Sequence, residues 1–215
     1  VFDSTEPITA ILTPSLAYHN SSLTAISGTA EDYPAFTGAR VSTPLTNVDM
    51  YILWHASNAA TTEKYFNETL YTENGGDPYW IPVSTTSQPP WSYTDAQLYW
   101  IHNSSYTIKV KATDRAGNVQ GTQFAWTSWP FWYDNVKPTS TVTMPPTGNP
   151  PYKTLTTLSG TCVDSVAGNV TLSTVTVLIQ DVTLGNTYYN VLGANWISGS
   201  EYWDNYASTN AAGTD

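Results

Sequence analysis

Apolar and polar residues alternate along this chain with a period of two, and no stretch carries the 3.6-residue spacing and caps of a helix. Ile8, Ala10 and Leu12 alternate with Thr9, Ile11 and Thr13. Farther on, Thr107, Lys109 and Lys111 alternate with Ile108, Val110 and Ala112, and Val175, Val177 and Ile179 repeat the pattern. Such runs turn one set of side chains to a core and the other to water. Prolines bound them, as expected where a strand must stop. The pattern predicts an all-β protein built as a sandwich of sheets.

Two blocks of the sequence recur. Glu6-Pro7-Ile8-Thr9-Ala10-Ile11-Leu12-Thr13-Pro14 returns as Lys137-Pro138-Thr139-Ser140-Thr141-Val142-Thr143-Met144-Pro145, with Pro138 lying 131 positions after Pro7. Leu23-Thr24-Ala25-Ile26-Ser27-Gly28-Thr29-Ala30-Glu31-Asp32 returns as Leu155-Thr156-Thr157-Leu158-Ser159-Gly160-Thr161-Cys162-Val163-Asp164, with Gly160 lying 132 positions after Gly28. Offsets that agree within one residue predict two copies of one module, residues 1–135 and 136–215.

Composition narrows the classes. Seven Lys plus Arg against 17 Asp plus Glu give a net charge of −10, and charged residues are 11% of the chain, against roughly 25% in ordinary soluble domains. A chain so poor in cations cannot neutralise a phosphate backbone, so no nucleic-acid partner is expected. No apolar run approaches the ~20 residues of a membrane helix, so no membrane span is expected. Aromatics at 13% argue against disorder. Cys162 is the only cysteine, which leaves no disulfide framework or thiolate metal site; in Leu158-Ser159-Gly160-Thr161-Cys162 it reads as a small buried residue. A start at Val1 rather than Met reads as a processed protein or a fragment. With few charges and abundant Thr, Ser, Asn and Tyr, the composition fits a prokaryotic extracellular location. Four Asn-x-Ser/Thr sequons, at Asn20, Asn67, Asn103 and Asn169, equal the about four expected by chance, so glycosylation is permitted without being indicated.

Three stretches carry a family likeness: Pro7 opening strand A, Ile26–Asp32 as strand B, and Tyr106–Asn118 as strand F with its turn. They resemble bacterial immunoglobulin-like (Big-type) domains, which occur in tandem arrays on large cell-surface proteins. The closing Ala112-Thr113-Asp114-Arg115-Ala116-Gly117-Asn118 is the most specific part. Gly117 can take positive φ there, and the Asp114 and Asn118 side chains can bond turn backbone groups. The resemblance covers most of residues 1–123, with Tyr33–Asn47 and the loop at Glu73–Asp77 as insertions. It implies two tandem immunoglobulin-like β-sandwiches. The second copy departs from the pattern, because nothing after Trp203 matches Tyr106–Asn118, so it is expected to lack its last strands. A half-finished sandwich exposes apolar core and open strand edges. Three explanations stand open: a chain boundary, a strand donated by another subunit in a head-to-tail homopolymer, or a smaller sandwich that closes by itself. The candidate donor is Ile8–Leu12.

Enzyme chemistry is not expected. His19, His55 and His102 lie in different contexts, and no zinc-protease, nucleophile-elbow, P-loop or dinucleotide pattern occurs. Hard cations need several oxygen ligands, and Glu6, Glu31, Asp32, Asp114, Asn118 and Asp134 fall at predicted strand ends or linkers, a candidate calcium set. The competing reading has Asp114 and Asn118 only shaping a turn, with the others solvated. Trp126, Trp129, Phe131, Trp132 and Tyr133 are expected to form an apolar linker buried between modules. As exposed rings these, or Tyr79-Trp80, Trp91–Tyr93, Tyr99-Trp100 and Tyr202-Trp203, would instead suit sugar faces. Lys109 and Lys111 invite an internal Lys–Asn isopeptide bond, which requires a buried acid beside them. The expected function is a non-enzymatic structural module of a cell-surface rod, filament or surface layer that self-associates end to end. The alternative is a carbohydrate-binding adhesin module.

Overall fold

The computed structural model describes residues 3–32, 44–55, 63–72, 78–84, 90–148, 152–164, 174–184, 187–190, 195–199 and 204–206. The protein is all-β, and among the described residues there is no helix, hence none long and apolar enough to cross a membrane. The chain packs as two units, Val1–Asn135 and Val136–Asp215.

Among the described residues the first unit holds ten strands: β1 (Ile8–Thr13), β2 (Tyr18–His19), β3 (Ile26–Glu31), β4 (Leu45–His55), β5 (Lys64–Phe66), β6 (Tyr71–Thr72), β7 (Ile81–Ser84), β8 (Trp91–Tyr93), β9 (Ser104–Asp114) and β10 (Thr127–Tyr133). A three-stranded sheet, β1-β3-β8, faces a seven-stranded sheet ordered β2-β10-β9-β4-β5-β6, in which β7 also pairs with β4. Among the described strands of this unit, only β2 runs parallel to its neighbour, β10. The long antiparallel ladder of β4 with β9 sets the architecture. On β9 every even position from Ser104 to Asp114 is buried, as the period of two predicts. Across the ladder Ile52 meets Ile108, Met50 meets Val110 and Val48 meets Ala112. Ile26 and Ala30 of β3 and Trp91 and Tyr93 of β8 join them in one core. Each of the larger side chains stabilises by about 1.5–3 kcal/mol when buried. Tyr51 and Leu53 leave the opposite face of β4 and form a second cluster with Tyr65, against Trp80.

Polar handles of the buried rings are matched. Trp91 Nε1 donates to Thr29 O at 3.1 Å and Trp100 Nε1 to Leu23 O at 2.9 Å. The Ile101 N–H donates to the Tyr106 hydroxyl at 2.7 Å, fixing the corner before β9. Gly28 of β3 lies under Trp91, where a Cβ would run into the indole and the Ala10 carbonyl oxygen.

Two expectations need correction here, and a third falls mostly outside the described residues. The aromatic run Trp129–Tyr133 is not a linker but lies in β10, hydrogen-bonded to β9, with Phe131 and Tyr133 in the first unit's own core. Strand propensity and a buried neighbour outweighed the proximity of the repeat boundary. Of the supposed insertion Tyr33–Asn47, residues 33–43 lie outside the described residues, as does the loop 73–77, and Leu45–Asn47 already belong to β4. The proposed donor Ile8–Leu12 is built into the first unit as β1, paired with β3.

The second unit contains β11 (Thr139–Met144), β12 (Ser159–Val163), β13 (Val175–Val177), β14 (Gln180–Asp181), β15 (Thr187–Asn190), β16 (Asn195–Ser198) and β17 (Asp204–Tyr206). They pair as β11-β12, β13-β17 and β14-β15-β16. The alternating run at Val175–Ile179 is strand only as far as Val177. The β11–β12 ribbon repeats the β1–β3 ribbon in register. Ile11 pairs with Gly28 and Val142 with Gly160, and each ladder slips at the next step, to Thr13 with Ser27 and to Met144 with Ser159. A Cβ on Gly160 would meet the carbonyl oxygen of Thr141, the counterpart of Ala10. Burial differs. Every residue of β11 is exposed, Val142 by 58%, and Cys162 and Tyr188 are the buried apolar residues among those described.

Two substitutions test this packing by urea unfolding. Tyr106→Phe strands the Ile101 N–H and is expected to destabilise the first unit by about 1–3 kcal/mol. Gly28→Ala is expected to destabilise it by about 1–3 kcal/mol, because neither the carbonyl nor the indole can withdraw without breaking other contacts.

Candidate metal centre

Antiparallel pairing of β1 with β3 carries the chain entering β1 to the end of β3, where Ile8 lies opposite Glu31. There Asp3, from the segment before β1, meets Asp32, which follows β3, and Asp114, the last residue of β9. One carboxylate oxygen from each lies within 4.8 Å of the others. Asp114 is buried, and Asp3 and Asp32 are half-buried. The turn after β9 shapes the site. Gly117 sits at φ 93°, and the Asn118 N–H donates to Asp114 Oδ1 at 2.8 Å. Asn118 Nδ2 donates to Asp114 Oδ2 at 2.8 Å and to Asp3 O at 3.3 Å, so the turn chemistry predicted for this motif is present. The Thr5 N–H donates to Asp3 Oδ1 at 3.0 Å.

At an effective dielectric of 20, two carboxylate charges 4.8 Å apart repel by about 3–4 kcal/mol, so three together carry a sizeable unfavourable energy. Donors from Asn118 and Thr5 offset part of it. A hard cation would offset more. Asp3, Asp32 and Asp114 would supply three of the six to eight oxygens that calcium takes, and water the rest. Asn118 turns its amide nitrogen inward, which makes it a donor to the acids rather than a ligand.

The other members of the sequence set are elsewhere. The Glu6 carboxylate accepts backbone N–H groups of Gly121, Thr122, Gln123 and Phe124 at 2.9–3.2 Å. Glu31 is exposed at the end of β3, and Asp134 faces His102, Oδ1 to Nδ1 at 3.2 Å. Of the candidate set, then, Asp32 and Asp114 come together and Asn118 orients Asp114, whereas Glu6, Glu31 and Asp134 are apart from the cluster. Asp3 was missed, and its only signal was a carboxylate shortly before a strand that pairs with the one ending just before Asp32.

The histidines are scattered. His55 Nε2 contacts Thr107 Oγ1 at 2.9 Å and Nδ1 faces Glu63 at 3.3 Å, while His19 packs edge-on against Phe131. Lys111 Nζ lies 3.9 Å from the Trp80 ring centre and Lys109 Nζ 5.9 Å from that of Tyr51, so both engage rings as cations. Asp49, opposite Lys111, is pushed up by burial, against the hydrogen bond from Asn47 and the Lys111 charge. Neither family models, nor curated proteins, nor solved structures gave a match to this chain.

Calcium titration monitored by thermal unfolding is expected to raise Tm relative to chelator, with about 2.7 kcal/mol gained at a hundredfold excess over Kd. Asp32→Asn is expected to abolish that rise. An equal rise in the variant would place the ion elsewhere.

Proposed function

We propose that this chain is a non-enzymatic structural module of an extracellular, cell-surface rod, filament or surface layer, built from tandem immunoglobulin-like sandwiches of the Big type. The observation that carries the reading is the β1–β3 ribbon and its repeat in β11–β12, with the same register, the same slip and a glycine at the same crowded point. Repeating one ribbon along a chain is how an extended array is made. The first unit's strand order supports it. In immunoglobulin letters β1-β3-β8 corresponds to A-B-E, and β2-β10-β9-β4-β5 to A′-G-F-C-C′. The Tyr106 hydroxyl, held by an N–H five residues upstream, corresponds to the tyrosine corner at the start of strand F.

The mechanism is mechanical. Force along such a chain is borne by backbone ladders and by core contacts between the sheets. Assembly, in this reading, runs end to end with further copies or neighbouring domains. The exposed β11–β12 ribbon, with Val142, Met144 and Val163 at its surface, suits addition of a strand. Because β1 is engaged by its own β3, the added strand comes from another segment.

The glycan-binding adhesin is the second reading, favoured by partly exposed rings at Tyr79, Tyr99, Trp126 and Trp196. Against it, five of the candidate rings, Trp91, Tyr93, Trp100, Phe131 and Tyr133, are buried. Electron microscopy of the purified full chain separates the two. Filaments or ordered arrays are the expected result, whereas discrete particles retarded on a polysaccharide column would reject the structural reading.

A further inference from the structure

Residues 3–9 are tied to the loop between β9 and β10 and to the first residue of β10 almost entirely by side-chain hydrogen bonds that cross more than 100 positions of sequence. Asn118 Nδ2 donates to Asp3 O and Gln123 Nε2 to Ser4 O, the latter at 3.0 Å. The Glu6 N–H donates to Gln123 Oε1 at 3.4 Å. The Thr9 hydroxyl lies 3.0 Å from Gln120 Oε1 and 2.8 Å from Thr127 Oγ1, and Thr127 Oγ1 in turn donates to Thr9 O. At the centre sits the Glu6 carboxylate, 7% exposed, which gathers four consecutive backbone N–H groups from Gly121 to Phe124. Such a run of amides is an anion-binding concavity, here filled by the protein's own side chain.

Apolar packing contributes less to this attachment. Pro7 is buried and Ile8 half-buried, while beyond the strap Leu12 is 56% exposed and Ile11 alone of β1 packs on the main core. A segment held by few apolar contacts and many polar ones is the kind that opens locally, ahead of the strands it covers.

We propose that residues 3–9 form a strap locked by the Glu6 carboxylate, and that protonating Glu6 releases the strap and the loop 118–125 while the β4–β9 ladder stays folded. A neutral acid cannot accept four N–H bonds as a carboxylate does, and its own proton has no acceptor among those donors. Burial pushes the Glu6 carboxyl up, but the four N–H groups outweigh it and hold it below its ordinary value of 4.5. The sign follows: the lock is intact above pH 4.5 and is lost as pH falls through the lower folded-state value. Other ionisable groups near the strap come from each packed element. These are Asp3 on the strap, Glu31 and Asp32 at the end of β3, Asp114 on β9 and Arg115 at the start of the loop, and residues 116–126 carry none.

Peptide-resolved hydrogen exchange on the full chain, corrected for intrinsic rates, tests this. As pH falls from 4.5 through the lower folded-state value of Glu6, peptides spanning residues 3–9 and 118–125 are expected to lose protection at least tenfold, with β4 and β9 unchanged. Glu6→Gln is expected to show the open pattern already at pH 7 and no further response to acid. Unchanged protection of the strap in acid, or loss in β4 and β9 at the same step, would overturn the proposal. So would a wild-type acid response retained in Glu6→Gln, which would assign the titration to Asp3, Asp32 or Asp114. Should Glu6→Gln not fold, Gln123→Ala decides. It removes neutral ties and keeps the carboxylate, so it should weaken protection at pH 7 yet open at the wild-type pH, and loss of that pH response would reject Glu6 as the lock.

Discussion

Pairing of β4 with β9 is the interaction around which the first unit is organised. Both strands are eleven residues long, and their even positions meet across the ladder in a strip that buries Val48, Met50, Ile52, Ile108, Val110 and Ala112. Because the side-chain period is two, a slip of one residue would turn that strip outward and bring Lys109 and Lys111 inward, so register is strongly specified. With the ladder in place, Trp91 and Ile26 from the smaller sheet have a surface to cover, and Gly28 gives the indole room. The corner at Tyr106 and the turn at Gly117 bound β9 at its two ends.

The end of the sandwich where β9 stops is polar in a different way. Asp114 is buried there, Glu6 nearly so, and Asp3 and Asp32 are close by in a chain already at net −10. Buried carboxylates are tolerated when hydrogen-bond donors converge on them, and here the loop 117–124 supplies most of those donors from its backbone. Glu6 is satisfied by amides alone, whereas Asp114 takes donors from Asn118 and Asp3 takes one from Thr5. That contrast separates a carboxylate serving as an internal lock from a group of carboxylates suited to a cation.

The two ribbons show how one local sequence yields unequal burial. β1–β3 and β11–β12 have the same register and slip, yet Thr9 is buried while its counterpart Ser140 is exposed. Ribbon geometry is local, set by strand pairing and by a glycine that admits the neighbouring carbonyl. Burial is not local, since it depends on a facing sheet such as the one β4, β9 and β10 provide in the first unit.

Sequence alone determined the all-β character, the alternation on β9, the internal repeat and the turn at Asp114–Asn118, because each follows from neighbours within a few residues or from repetition. It could not tell which acids converge. Glu6 and Asp3 lie three residues apart and both stand before β1, yet one enters a nest of amides and the other joins Asp32 and Asp114. Nor could it show that Phe131 and Tyr133 serve their own core rather than a boundary. Tertiary structure decided these points, since a carboxylate's role depends on which donors and charges arrive beside it from residues more than 100 positions away.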